Sequence, residues 1–265
     1  MTAPPLPDAQ TRIRLAMAAS GAAVLDRPVL WDQGSPGVRR IFDLVGVGAS
    51  RSVYLDVPVT AVVALGHSRL IKPGATWRRI VDEHLTDDTW TDRVFDYIES
   101  EIRKQRFPAK GADGVLMLDA CGGAVACSNG NHRLAAAIAW LAARHGDDAV
   151  LRKVVTNVVS LDNAIAGPLL AAHARGARVA LACHPTDGAL LCRVRTTWRV
   201  SITVFRRDAG PEGRWVADRS QTAGKLPEES WETVPATVLD AWHDAHWLST
   251  QLASPTLEPV EQEGP

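Results

Sequence analysis

Residues 115–146 read VLMLDACGGAVACSNGNHRLAAAIAWLAARHG, and the hydrophobic period changes inside this stretch. Residues 115–119 and 124–128 are short apolar runs of strand length, separated by Cys121-Gly122-Gly123. The two glycines supply the positive φ that a tight hairpin turn demands. From residue 129 to 145 the period becomes helical, with Leu134, Ile138 and Leu141 on one stripe and alanines that permit close packing. Asn129 is predicted to cap the first amides. Arg144 and His145 suit the negative end of the helix dipole, and Gly146 is a natural stop. Residues 154–159 then return to strand. Strand, turn, strand, helix, strand is an α+β unit.

Outward from this unit, residues 51–63 read as a β-branched strand interrupted by Pro58, which suits an edge or a strand start. Residues 75–84 and 89–106 read as helices. In the second, Val94, Phe95, Ile98 and Ile102 form the buried stripe, and Asp92, Asp96, Glu99 and Glu101 a solvated face. Residues 161–175 look helical. Residues 192–205 alternate with period two, as one long strand or two shorter ones. The alternation puts Cys192, Val194, Trp198, Val200, Ile202 and Val204 on one face, and Arg193, Arg195, Arg199, Ser201 and Thr203 on the other. A Trp-rich closing helix is predicted over 230–252. Gly46-Val47-Gly48 is half of a dinucleotide fingerprint without its third glycine, and reads as a turn.

The chain has 265 residues, 46% hydrophobic and 22% charged, with a formal net charge of -1. That is ordinary globular composition with no global pull toward DNA or anionic membrane, so a nucleic-acid surface has to be a local patch. No apolar run approaches the roughly 20 residues that span a bilayer. Two arginines ahead of an Ala-rich stretch at 12–25 hint at an export signal, but the preceding prolines and Asp8 favour an N-terminal helix. The first ten residues, with three prolines, read as mobile. Cys121, Cys127, Cys183 and Cys192 form no CxxC pair, which predicts reduced thiols in a cytoplasmic protein. Zinc on Cys183, His184 and Cys192 fits no common ligand pattern, and His243 and His246, whose i, i+3 spacing could bind metal, read as packing on the closing helix beside Trp242 and Trp247.

Chemistry concentrates at Asn129-Gly130-Asn131-His132-Arg133, where a strand runs directly into a helix. The first amides of a helix carry partial positive charge and lack intrahelical partners, so they form an anion site. Gly130 lets backbone approach a phosphate, Arg133 offers a two-point charged contact where no core packing is expected of it, and His132 a donor when protonated; without a ligand both side chains read as lying on a solvated first turn. Asn131 suits a sugar, a base or a metal-bound water. The bland alternative is a turn and cap with no ligand.

The run LDACGGAVACSNGNHRLAAA, residues 118–137, resembles the signature of the ParB/sulfiredoxin-like superfamily, in which a hairpin ends in a GNHR- or ERR-type turn before a helix. More weakly, Leu55-Asp56-Val57-Pro58-Val59 and Ser68-Arg69 are similar to that family's opening strand and first box. The resemblance covers about residues 53–159. It implies a ParB/sulfiredoxin-like core at 51–160 after an N-terminal segment at 1–50, followed by a C-terminal α/β extension at 161–253; residues 254–265, with three prolines and three glutamates, read as a disordered tail. It also implies that Asn129, Gly130, Asn131, His132 and Arg133 hold the phosphates of a nucleotide of CTP or ATP type, with Arg69 approaching from the first box and magnesium as an accompanying ion. Asn129 replaces the family's acid, and Asn131 replaces the redox cysteine of sulfiredoxin, which argues against sulfinic-acid reduction.

Three functions follow as expectations: nucleotide binding with hydrolysis as an option, a ParB-like nuclease or DNA-binding module, and an inert interaction scaffold. A partition protein carries a helix-turn-helix after its core, whereas residues 161–178 offer one helix and a break at Gly176. A metal-dependent nuclease needs clustered carboxylates, and Asp119 is the one good candidate near the turn.

Overall fold

The computed structural model describes residues 7–34, 37–85, 90–208, 213–218 and 226–261. A seven-stranded mixed sheet runs through the middle of the molecule. Its strands are β1 (Leu30–Trp31), β2 (Gly46–Pro58), β3 (Val62–Leu65), β4 (Glu101–Arg103), β5 (Met117–Cys121), β6 (Ala124–Asn129) and β7 (Val150–Leu161). They lie in the order β1-β3-β6-β5-β7-β2, with β4 also paired to β7. The β5–β6 hairpin is antiparallel, while β5 runs parallel to β7 and β6 parallel to β3.

One face of this sheet carries α1 (Ala9–Ala19), α3 (Trp77–His84), α4 (Arg93–Glu99) and α5 (Asn131–His145), which share a single core with it. The other face carries α2 (Val38–Val45), α6 (Asn163–His173) and α7 (Ala236–His243). Beyond them lies an antiparallel sheet of β8 (Arg178–Cys183), β9 (Leu190–Arg195), β10 (Val200–Arg207), β11 (Trp215–Ala217) and β12 (Glu232–Thr233), ordered β11-β10-β9-β8-β12. A last helix, α8 (His246–Leu252), buries Leu248 in the first core. Strand β6 explains the continuous apolar reading of the hairpin. Val125 and Cys127 face the first core and Ala124 and Ala126 the second, so both of its faces are buried.

The fold is α+β, as expected, and α5 starts at Asn131 and ends before Gly146. Several local expectations are corrected. The helix predicted at 89–106 covers only Arg93–Glu99, since Ile102 reaches the core from β4. Ile98 and Ile102 have helical spacing, but β7 offers Glu101–Arg103 a strand partner, and pairing overrides periodicity. The closing helix is two helices, α7 and α8, after a short strand. Gly46-Val47-Gly48 opens β2 instead of forming a turn.

Residues 192–205 form two strands joined by a turn at 196–199, where the Thr196 amide donates to the Arg199 carbonyl at 2.9 Å. Folding back changes the faces, because Val200 lies opposite Arg195 and Ile202 opposite Arg193. Directly opposite residues share a face, so the apolar and arginine sets mix.

The two chain ends, read as mobile and disordered, are built in as far as they are described. Asp8 caps α1, and Ala9 and Gln10 are buried. Near the other end the Tyr54 amide donates to the Glu258 carbonyl at 3.0 Å, and Glu258 accepts from Arg103 and Lys153. Residues 1–6 and 262–265 lie outside the described residues. The N-terminal segment is part of the core, because β1 pairs with β3 and α1 packs beside α5.

Candidate functional site

Strand β6 delivers the chain to α5 through Gly130, whose φ of 89° lies in the left-handed region. A side chain is excluded there twice over: by that φ, and because a Cβ would meet Arg133 Nε at 2.5 Å. Gly130, not Asn129, occupies the cap position, and no side chain caps the helix. The Asn129 carboxamide instead donates to the Val115 carbonyl at 2.7 Å, tying the turn to the segment before β5. Asn131 accepts from the Gly66 amide at 2.8 Å, so its oxygen holds the end of β3 in place rather than a ligand.

Arg133 departs most from expectation. It is buried, 6% exposed, and donates to the carbonyls of Asp113 and Gly114, each at 2.9 Å. Its guanidinium also lies over Phe107, 6.0 Å from the ring centre. The expected solvated first turn is corrected here. Residues 107–114 fold over the helix start, and a planar, weakly hydrated guanidinium is suited to satisfying two loop carbonyls at once. Arg69 is exposed on the short turn Ser68–Leu70 and does not line the cavity at the helix start.

That cavity has a volume of about 440 Å³. One side is polar, with the 129–133 turn, His67, His84 and Lys110; another is apolar, with Leu85, Trp90 and Phe107. His67 and His132 stand edge to face, 5.5 Å between ring centres, and Nδ1 of His67 is buried without a partner among the described residues. Burial lowers the pKa of His132 from the ordinary histidine value, and His67 and His84 lower it further by repulsion. His132 is therefore neutral at pH 7 and becomes a cation only on acidification. Behind the cavity wall Phe107 packs edge-on against Trp90 at 4.8 Å and Tyr97 at 5.1 Å. Burial pushes the Tyr97 phenol up to about 12, so it stays protonated beside Arg133.

Sequence reasoning located the turn but missed His67, His84, Lys110, Trp90 and Phe107. His67 adjoins the Ser68-Arg69 box and so carried a local signal. The others come from remote segments brought in only by packing.

Asp119, the carboxylate singled out for nuclease chemistry, does not line this cavity. It is held by Arg39, which also binds Asp32 at 3.0 Å, and by Asn157 at 2.9 Å. Burial raises the pKa of Asp32 despite Arg39. Among the described residues no group of three or more His, Cys, Asp or Glu is arranged to hold a metal ion, and the Cys183–His184–Cys192 and His243–His246 sets form none. All four cysteines are free thiols. No helix of the described residues is long and apolar enough to cross a membrane.

Comparison of the chain with protein-family models, with curated proteins and with solved structures finds no match.

Proposed function

We propose that the protein binds a nucleotide of CTP or ATP type in the cavity at the start of α5, on a divergent ParB/sulfiredoxin-like core. One observation carries the reading: an uncapped 15-residue helix opens into a cavity whose described residues include His67, His84, His132, Lys110 and an aromatic wall. The amides of Asn131, His132 and Arg133 and the helix dipole favour phosphate oxygens. Lys110 and the histidines add donors, and Trp90 and Phe107 offer an apolar surface to a base. In this reading Arg133 is a positioning residue that braces the 107–114 segment over the site. Asn129 and Asn131 likewise shape the turn, and Arg69 does not take part.

Among the described residues the lining contains one carboxylate, Asp113, too few for a cage of protein ligands around magnesium. In this reading a magnesium ion arrives on the phosphates of the nucleotide. The nuclease alternative is weakened by the position of Asp119, which Arg39 and Asn157 engage outside the cavity.

Titration calorimetry with nucleoside di- and triphosphates, with and without magnesium, tests the reading. Saturable one-to-one binding that the double variant Lys110→Ala/His132→Ala weakens at least tenfold is expected. Absence of binding by every nucleotide would leave the inert-scaffold reading in its place.

A further inference from the structure

Gln10 sits in the first turn of α1, whose other buried positions are Ala9, Ile13 and Met17. It is 2% exposed and lines the cavity at the start of α5. Its carboxamide has no hydrogen-bond partner among the described residues. Its polar atoms are not among the fully buried unpaired ones, so the carboxamide keeps a narrow opening onto the cavity and can take from there a partner that the chain itself does not supply.

We infer that this partner is the edge of the ligand's nucleobase, and that Gln10 is the residue distinguishing a nucleotide from a bare phosphate compound. The inference rests on the nucleotide reading above and goes further by assigning the non-phosphate end. Gln10 shares the cavity with Leu85, Trp90 and Phe107, which are apolar and suit the faces of a flat ring. A carboxamide presents one acceptor and two donors in a plane. That pattern matches a heteroaromatic edge carrying a donor and an acceptor side by side, the basis of two-point glutamine contacts to bases. Inorganic triphosphate, sugar phosphates and phosphopeptides lack such an edge, so they fill the phosphate end and leave Gln10 unpaired.

Calorimetry on the full chain and on Gln10→Leu, with the four common nucleoside triphosphates and inorganic triphosphate, tests this. In the parent, at least one nucleotide binds roughly tenfold or more tighter than inorganic triphosphate. In Gln10→Leu that nucleotide loses roughly ten- to a hundredfold in affinity while inorganic triphosphate is unchanged. The unliganded variant melts close to the parent's temperature, because no hydrogen bond within the chain is lost. Three results would overturn the inference: undiminished nucleotide affinity in Gln10→Leu, equal weakening of both ligands, or a lower melting temperature that exposes a structural partner. A parent that binds inorganic triphosphate as tightly as every nucleotide also overturns it, yet leaves the phosphate site standing. A parent that binds neither sinks the nucleotide reading itself.

Discussion

Arg133 and His132 are neighbours in the first turn of α5, and their surroundings give them opposite tasks. Arg133 makes two hydrogen bonds to loop carbonyls from a buried position, so Arg133→Ala removes charge-assisted bonds and leaves both carbonyls short of a donor. We predict a loss of about 2–4 kcal/mol in unfolding free energy by urea denaturation, with Arg133→Lys recovering only part. An unchanged denaturation midpoint would show that the 107–114 segment does not depend on this bracing. His132 is governed by its lowered pKa. Between that value and the ordinary histidine value the unfolded chain binds more protons than the folded one. The contribution of His132 to stability is thus present above the ordinary value and is lost as pH falls through the lowered one. In the proposed reading anion affinity moves the other way, since protonation adds a cation beside His67, His84, Lys110, Asp113 and Arg133. Nucleotide affinity should rise as pH falls below neutrality while unliganded stability declines, and His132→Ala should flatten part of both profiles. Parallel calorimetry and thermal melts across that range check the pairing.

At the scale of elements, the β6–α5 junction depends on Gly130. Gly130→Ala places a side chain at a φ of 89° against Arg133 Nε and Leu116. The backbone alone costs roughly 1–2 kcal/mol, and displacement of Arg133 adds to that. Asn129→Ala removes only the tie to Val115 and should cost about 1 kcal/mol. Denaturation of the two variants therefore ranks backbone conformation against side-chain bonding in holding the turn. A second junction lies where β4 and the C-terminal segment meet β7 and β2. Arg103 and Lys153 are the two non-glycine residues with positive φ among the described residues, and both bind Glu258. Truncation after Ala253 should speed amide exchange at Tyr54, whose N–H donates to the Glu258 carbonyl. Unchanged exchange there would show that the C-terminal segment merely rests on β2.

Across the whole molecule, the two sheets are joined by one core that includes α2, α6 and α7. Trp242 donates from its indole to the Cys121 carbonyl at 2.9 Å, and the Trp215 amide donates to Asp162 at 2.6 Å. The sheets should unfold together in one transition, and Trp242→Ala should lower its unfolding free energy by about 3–5 kcal/mol without splitting it. Two resolved transitions would mean that the sheets are independent. The thiols report on the same packing. Burial raises Cys121 and Cys192 to about 12 and also raises Cys127, leaving Cys183 as the exposed thiol. A thiol reagent should titrate one cysteine in the native protein and four after denaturation.

The hairpin, α5 and its stop, and the α+β class were legible because each rests on contacts within a few residues. Gly122-Gly123 turns the chain, Gly146 ends the helix, and Leu134, Ile138 and Leu141 form one stripe whatever packs on it. The 129–133 turn was legible in position for the same reason, since a strand running into a helix exposes amides by local geometry alone. Tertiary structure decided the rest. Arg133 reads as a free cation until residues 113 and 114 present it with carbonyls. Residues 101–103 keep a helical spacing until β7 offers hydrogen bonds that a strand can use. Gln10, His84, Trp90 and Lys110 carry no common motif, and they meet Gly130 only because α1, α3 and the 107–114 segment pack around α5. Local sequence sets backbone conformation through short-range sterics, whereas a cavity is assembled from distant segments by burial and pairing that no local window contains.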